Sequence, residues 1–146
     1  MKLGLITAIC EGMTFEEVVD FAAENGLECL EVACWPQGGA QRRYAGVSHI
    51  DVANLDEEKA NDIKNLCAKK GVEISALAYY PNTLDPDLEK RQSYIAHLYK
   101  LIDASAMLDV NMITTFIGRV PTKNFSENLE IVKEVWPPIL EYAQKK

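Results

Sequence analysis

The sequence predicts an α/β fold built on a parallel sheet, and three observations carry that reading. Four apolar runs of strand length alternate with four stretches of helical periodicity. Each helical stretch opens on a side chain suited to capping a helix N-terminus. Strands that alternate with helices imply crossover connections, which are right-handed almost without exception. Two architectures fit βα repeated four times: an open doubly wound sheet, or half of a (β/α)8 barrel whose full length is about 250 residues. The third observation separates them in part. No Gly-rich phosphate loop of the GxGxxG or P-loop type follows any strand, which removes the commonest signature of the first option.

The elements follow in order. Residues 2–9 form a first apolar run, read as a strand. Thr14-x-x-Glu17 is a capping box, and Phe15, Val18, Val19 and Ala22 then repeat at helical spacing until Asn25-Gly26 stops the helix. A second strand follows within residues 28–36. Residues 35–54 have no clear period, and a loop of this length in a compact domain is usually functional or disordered. Asp56 caps a second helix that buries Ala60, Ile63 and Cys67 and ends at Gly71. Residues 72–80 read as a third strand, broken by Pro81-Asn82. Asp85-Pro86 reads as an N-cap with proline at the first helical position. The helix after it carries Leu88, Ile95, Leu98, Tyr99, Ile102 and Ala106 on one stripe. Residues 111–117 form a fourth strand ended by Gly118. Asn124-x-x-Glu127 opens a last helix lined by Leu129, Val132, Trp136, Ile139, Leu140 and Ala143. Pro137-Pro138 removes two backbone donors there, so a kink or a break and restart is expected.

The second strand is the chemical centre of the chain. In Glu28-Cys-Leu-Glu-Val-Ala-Cys-Trp-Pro36, side-chain alternation puts Leu30 and Val32 on one face and Glu31 and Ala33 on the other. A carboxylate inside an apolar strand costs several kcal/mol unless it is paired, hydrogen-bonded or wet, on the order expected for a buried polar group. Trp35 and Pro36 follow at the C-terminal end, where parallel α/β folds bind ligands.

At 146 residues the chain is about one domain by length, 1–146, with enough apolar sequence to bury a core. Its net charge of −7 argues against a nucleic-acid partner, which calls for a basic face. No apolar run approaches the roughly 20 residues of a membrane span, and the N-terminus is too short a run for a signal peptide. Cys10, Cys29, Cys34 and Cys67 show no CxxC spacing, so reduced structural thiols and a cytoplasmic location are expected.

Four motifs then carry a family resemblance. Leu30-Glu-Val-Ala-Cys-Trp-Pro36, Arg43-Tyr-Ala-Gly-Val-Ser-His-Ile-Asp51, Ser75-Ala-Leu-Ala-Tyr-Tyr-Pro-Asn-Thr-Leu-Asp-Pro86 and Thr114-Thr-Phe-Ile-Gly-Arg119 resemble, in order, the first half of the sugar phosphate isomerase/epimerase family of xylose-isomerase-like TIM barrels. The resemblance implies a (βα)4 half-barrel with strands in the order 1-2-3-4, and a fragment of a longer TIM-barrel protein. It implies an isomerase or epimerase acting on a small sugar or sugar phosphate, by proton transfer next to a carbonyl with a divalent metal (Mn, Mg, Co or Zn) as Lewis acid. In that family the metal ligands come from the second-half strands, the first a glutamate on strand five. No tight metal binding is therefore expected of this chain alone.

The candidate substrate contacts are Glu31, Trp35, His49, Tyr79 and Arg119. Glu31 is suited to contact a sugar hydroxyl or to orient a metal ligand, or alternatively to pair as a structural acid with a lysine or arginine of a neighbouring strand. His49, in the long loop, reaches a polar substrate if that loop folds over the barrel mouth. Trp35 and Tyr79, with Tyr80 ranked below them, offer an apolar wall with a polar tip, or rim packing. Arg119 suits a phosphate or carboxylate, or a surface salt bridge. Arg42-Arg43 reads as a solvated loop face, and His97 as a helix-surface residue. No Ser/His/Asp or Cys/His set assembles, so no catalytic group is named. Two other functions are carried: a non-catalytic half-barrel or assembly module, and an apurinic-endonuclease-like metal nuclease. The nuclease needs histidines where this chain has Tyr79-Tyr80 and Phe116-Ile117. A half-barrel also leaves strand edges free and its inner face uncovered, so self-association is expected.

Overall fold

The computed structural model describes residues 1–37 and 46–146. Arg42 and Arg43 lie outside the described residues. The elements are β1 (Gly4–Ile6), a 3-10 turn (Thr7–Ile9), α1 (Phe15–Glu24), β2 (Cys29–Ala33), α2 (Glu57–Lys70), β3 (Glu73–Ala78), α3 (Leu88–Met107), β4 (Ile113–Thr114) and α4 (Phe125–Gln144). The strands form one parallel sheet in the order β1-β2-β3-β4. This is the half-barrel order, and it excludes the switch-point orders of doubly wound sheets.

Local chemistry explains most boundaries. At α1 the Thr14 hydroxyl accepts from the Glu17 N–H at 3.2 Å while Glu17 accepts from the Thr14 N–H at 2.7 Å. At α4 Asn124 and Glu127 repeat the same exchange. Asp56 accepts from the Lys59 N–H at 2.9 Å to start α2, and Gly71 ends it in the left-handed region at φ 70°.

Three expectations are corrected. The cap of α3 is Asp87, which accepts from the N–H groups of Glu89 and Lys90, while Asp85 accepts from the Asp87 N–H in a turn before the helix. Pro86 therefore precedes the helix, and Leu88 is exposed rather than on the buried stripe. Helix α4 runs unbroken through Pro137 and Pro138. The carbonyls they leave without N–H partners belong to Lys133 and Glu134, which are exposed and so open to solvent. The edge strands β1 and β4 are also shorter than the apolar runs that announce them, since each pairs on one side only.

The core lies between the sheet and the helices. Val18, Val19 and Ala22 of α1 and Leu98, Leu101 and Ile102 of α3 close over Leu30, Val32, Cys34, Leu77 and Tyr79 from the sheet. On the opposite, inner face stand Glu31, Ala33, Ala76 and Ala78. A register shift sets this arrangement: Leu30 pairs with Ile74 but Glu31 with Ala76, so Ser75 is the extra residue of a bulge. Its hydroxyl donates to the Leu30 carbonyl at 3.0 Å. The inner face is also less open than expected. Ala33, Ala76 and Ala78 are buried. Exposed apolar side chains stand beside β1 and β4 (Leu3, Ile9, Met112, Phe116, Ile117), on α4 (Phe125, Leu129, Leu140), and on α1 and α3 (Phe21, Leu88, Met107).

Candidate functional site

Glu31 projects from β2 on the inner face and is half-buried. The Tyr80 hydroxyl donates to its Oε1. Tyr80 follows β3 with the parity of Ala78, and its ring packs on Phe116 at 4.7 Å between centroids. Thr114 pairs with Ala78 and shares the face. The result is a carboxylate and a phenol on an alanine floor, walled by an exposed aromatic ring. Burial, and then the Glu31 carboxylate, push the Tyr80 phenol above its ordinary value. Tyr80 thus stays a proton donor at neutral pH, and Glu31 keeps acceptor capacity for another hydroxyl.

A second polar cluster closes the C-terminal end of β1. Thr7 is fully buried and its hydroxyl accepts from the Ala33 N–H at 2.9 Å. The same oxygen lies 2.9 Å from His49 Nδ1. The backbone of His49 donates to the Ala33 carbonyl at 2.9 Å, which fixes the incoming loop against β2. Burial holds the His49 imidazole below its ordinary value, and the backbone of Cys10 and Met13 opposes that shift. A recess of about 320 Å3 lies beside it, lined by Glu11, Gly12, Met13, Gly46, Ser48 and His49.

The other candidates fall elsewhere. Tyr79 has the parity of Leu77 and is fully buried against the helices. It meets Trp35 edge-on at 4.9 Å and His97 at 4.7 Å. Trp35 is half-buried and caps this ladder. His97 is buried rather than on the helix surface, because its Nε2–H donates to the Cys34 carbonyl just beyond β2 at 2.8 Å. Arg119 has an exposed side chain, and its backbone is what the structure ties down. Its N–H donates to Asn82 Oδ1 at 2.8 Å and its carbonyl accepts from Asn82 Nδ2 at 2.9 Å. Gly118 is needed at this junction, since its φ is 79° and a Cβ there would stand 1.9 Å from Asn82 Oδ1. The structure therefore brings Glu31 together with Tyr80, sets His49 on Thr7, and pairs Trp35 with Tyr79. It keeps Arg119 apart.

Both histidines of the chain are held below the ordinary value of 6.5 by burial. Each is neutral in the fold and takes up its proton more readily when unfolded. The unfolded state thus binds more protons once pH drops to about 6.5, so stability must fall with pH there. We expect a melting temperature that is level above this value and declines on acidification through it, before the carboxylates titrate. A melting temperature that rises between pH 7 and 5 would contradict the burial of His49 and His97.

Among the described residues, no three His, Cys, Asp or Glu side chains stand close enough to share a metal ion. The donors these strands offer among the described residues do not fit the family's divalent metal. No helix among the described residues is long and apolar enough to cross a membrane.

A parallel half-barrel with a hydrogen-bonded carboxylate on its inner face defines a class, the β/α barrel proteins whose sites sit at the strands' C-terminal ends. The chain belongs to the xylose isomerase-like TIM barrel family, whose model matches residues 19–146. No curated protein matches it. Among solved structures it resembles the D-psicose 3-epimerase of Clostridium cellulolyticum with D-tagatose, at 18% identity and TM-score 0.69, covering 99% of this chain and 49% of that one. It resembles the probable 3-DHS dehydratase AsbF of Bacillus anthracis at 20% identity and TM-score 0.63, covering 97% and 49%. It also resembles the zinc-binding IolI protein at 12% identity and TM-score 0.67, covering 99% and 48%. These likenesses establish the fold, and the chain spans about half the length of each.

Proposed function

We propose that this chain supplies the first half of a sugar or sugar-phosphate isomerase or epimerase barrel, and that its role there is to hold the substrate. The observation that carries the reading is the Glu31–Tyr80 pair on the inner face. A carboxylate accepts from sugar hydroxyls, a phenol donates to one, and the Tyr80 and Phe116 rings offer apolar faces to sugar C–H groups. His49, neutral near physiological pH, is placed to contact a polar substituent from the β1 side, and Trp35 borders the rim. Arg119, exposed beyond β4, suits a phosphate if one is present. The family membership and the epimerase and zinc-binding neighbours support a small sugar substrate and a divalent metal, the latter held by residues outside these four strands. Four free cysteines fit a reducing compartment such as the cytoplasm.

Calorimetric titration of the chain with ketoses, aldoses and their phosphates tests the reading. One class is expected to bind, and Glu31→Gln should weaken it about 10- to 100-fold, the loss of a hydrogen bond to a charged group. Binding that Glu31→Gln leaves unchanged would remove the inner face from the account.

A further inference from the structure

We propose that Glu31, Tyr80 and Thr114 read a vicinal diol, two hydroxyls on neighbouring carbons, and that this part of a sugar, rather than its carbonyl or a phosphate, is what the inner face holds. The inference rests on the reading of that face as a sugar site and names the end of the sugar that is held. Glu31 stands on β2, Tyr80 two residues past β3 and Thr114 on β4, so three neighbouring strands build the cluster. What pairs with the outer strand edges does not enter it.

A carboxylate offers two oxygens side by side, each an acceptor and neither a donor. Tyr80 donates to Oε1 and fixes how the Glu31 carboxylate is turned. Beyond that bond a carboxylate has about three further lone-pair sites, spread over both oxygens. Their complement is two donors on adjacent carbons, which is a vicinal diol. A lone hydroxyl meets only half of it. A carbonyl or phosphate oxygen has no proton to offer Glu31. It would have to draw the one on Tyr80, and that leaves a half-buried carboxylate bare.

Thr114 completes the set. Its Oγ1 is buried and makes no hydrogen bond among the described residues. It stands beside the Tyr80 phenol, close enough to oppose the upward shift that burial and Glu31 impose there. Such a hydroxyl is a donor in reserve. When a diol oxygen takes the Tyr80 proton and gives its own to Glu31, Thr114 donates to the phenol oxygen, and every group keeps a partner. The Tyr80 and Phe116 rings, 4.7 Å apart between centroids, offer their faces to the diol's C–H groups.

Nuclear magnetic resonance of the alanine-labelled chain, titrated with sugars and with matched probes that lack a carbonyl, tests the inference. D-Fructose and D-xylose are compared with their alditols, D-glucitol and xylitol, and cis-1,2-cyclohexanediol with cis-1,3-cyclohexanediol. Each alditol is expected to shift Ala33, Ala76 and Ala78 with its parent sugar's affinity. The 1,2-diol should bind at least about tenfold more tightly than the 1,3-diol. Thr114→Val should weaken the 1,2-diol about three- to tenfold and Thr114→Ser should restore it, while circular dichroism shows both folds retained. A sugar that binds while its alditol does not would overturn the diol and leave the sugar reading standing. Equal or undetectable affinity for the two cyclohexanediols, or shifts that gather in the apolar groove of about 310 Å3 between α3 and α4, would overturn it as well. Binding by neither sugars nor alditols would overturn both.

Discussion

Gly4→Ala is expected to cost about 3–5 kcal/mol, the upper end for a point substitution. The cause is backbone contact. A Cβ on Gly4 would stand 2.2 Å from the Cys29 carbonyl oxygen and 2.6 Å from its Sγ. The carbonyl belongs to the β2 backbone and has no rotamer to move to. β1 pairs with β2 alone, through Gly4–Cys29, Leu5–Leu30 and Ile6–Glu31, so pushing it off detaches the strand. It would also release Thr7, whose hydroxyl joins the Ala33 amide to the His49 ring. Denaturant midpoints measure the loss. Gly12→Ala is the comparison: its φ is 88° but a Cβ there meets no atom within 4 Å, so only backbone strain of about 1–2 kcal/mol is at stake. Equal costs at the two sites would contradict the packing of β1 on β2.

Tyr79 supports a paired prediction of opposite signs. Tyr79→Ala should destabilise by about 3–5 kcal/mol, because it removes a fully buried ring that packs on Trp35 and His97. Tyr79→Phe keeps the ring and deletes a hydroxyl that is buried with no hydrogen-bond partner among the described residues. Leaving such a group unpaired costs about 1–3 kcal/mol, so phenylalanine should stabilise the chain by up to that amount. Thermal melts of both variants decide the point. A loss of stability in Tyr79→Phe would mean that the phenol has a partner and is not simply a core group.

Much of the fold was legible because it is written in local chemistry. Thr14, Asp56, Gly71 and Asn124 act on backbone groups within a few residues, and the structure finds each in that role. The α3 start shows the limit of such signals. Asp85 and Asp87 both suit a cap, and proline at 86 favoured the wrong one. The site was legible in part. Strand alternation puts Glu31 opposite the core, but nothing local marks Tyr80, 49 residues on, as the partner it meets. Tyr80 follows Ala78 in parity and Tyr79 follows Leu77, so alternation alone would have sent Tyr80 inward and Tyr79 to the core. The bulge at Ser75 is what made the parity of β3 hard to set against β2. His97 also left a trace, since Leu101 and Ala104 lie four and seven residues on and are buried. Thr7 and Asn82 left none. Their partners are 26 to 42 residues away for Thr7 and 37 away for Asn82, and only the folded sheet brings them together.

We propose the inner face as the place where a small sugar meets this chain. Nuclear magnetic resonance with the backbone and alanine methyls labelled tests it most directly, by titrating the sugar class that calorimetry selects. The account predicts shifts that saturate together at Ala33, Ala76, Ala78 and Tyr80 and that vanish in Glu31→Gln. Shifts confined to the α3–α4 groove, or spread over the surface without saturation, would contradict it.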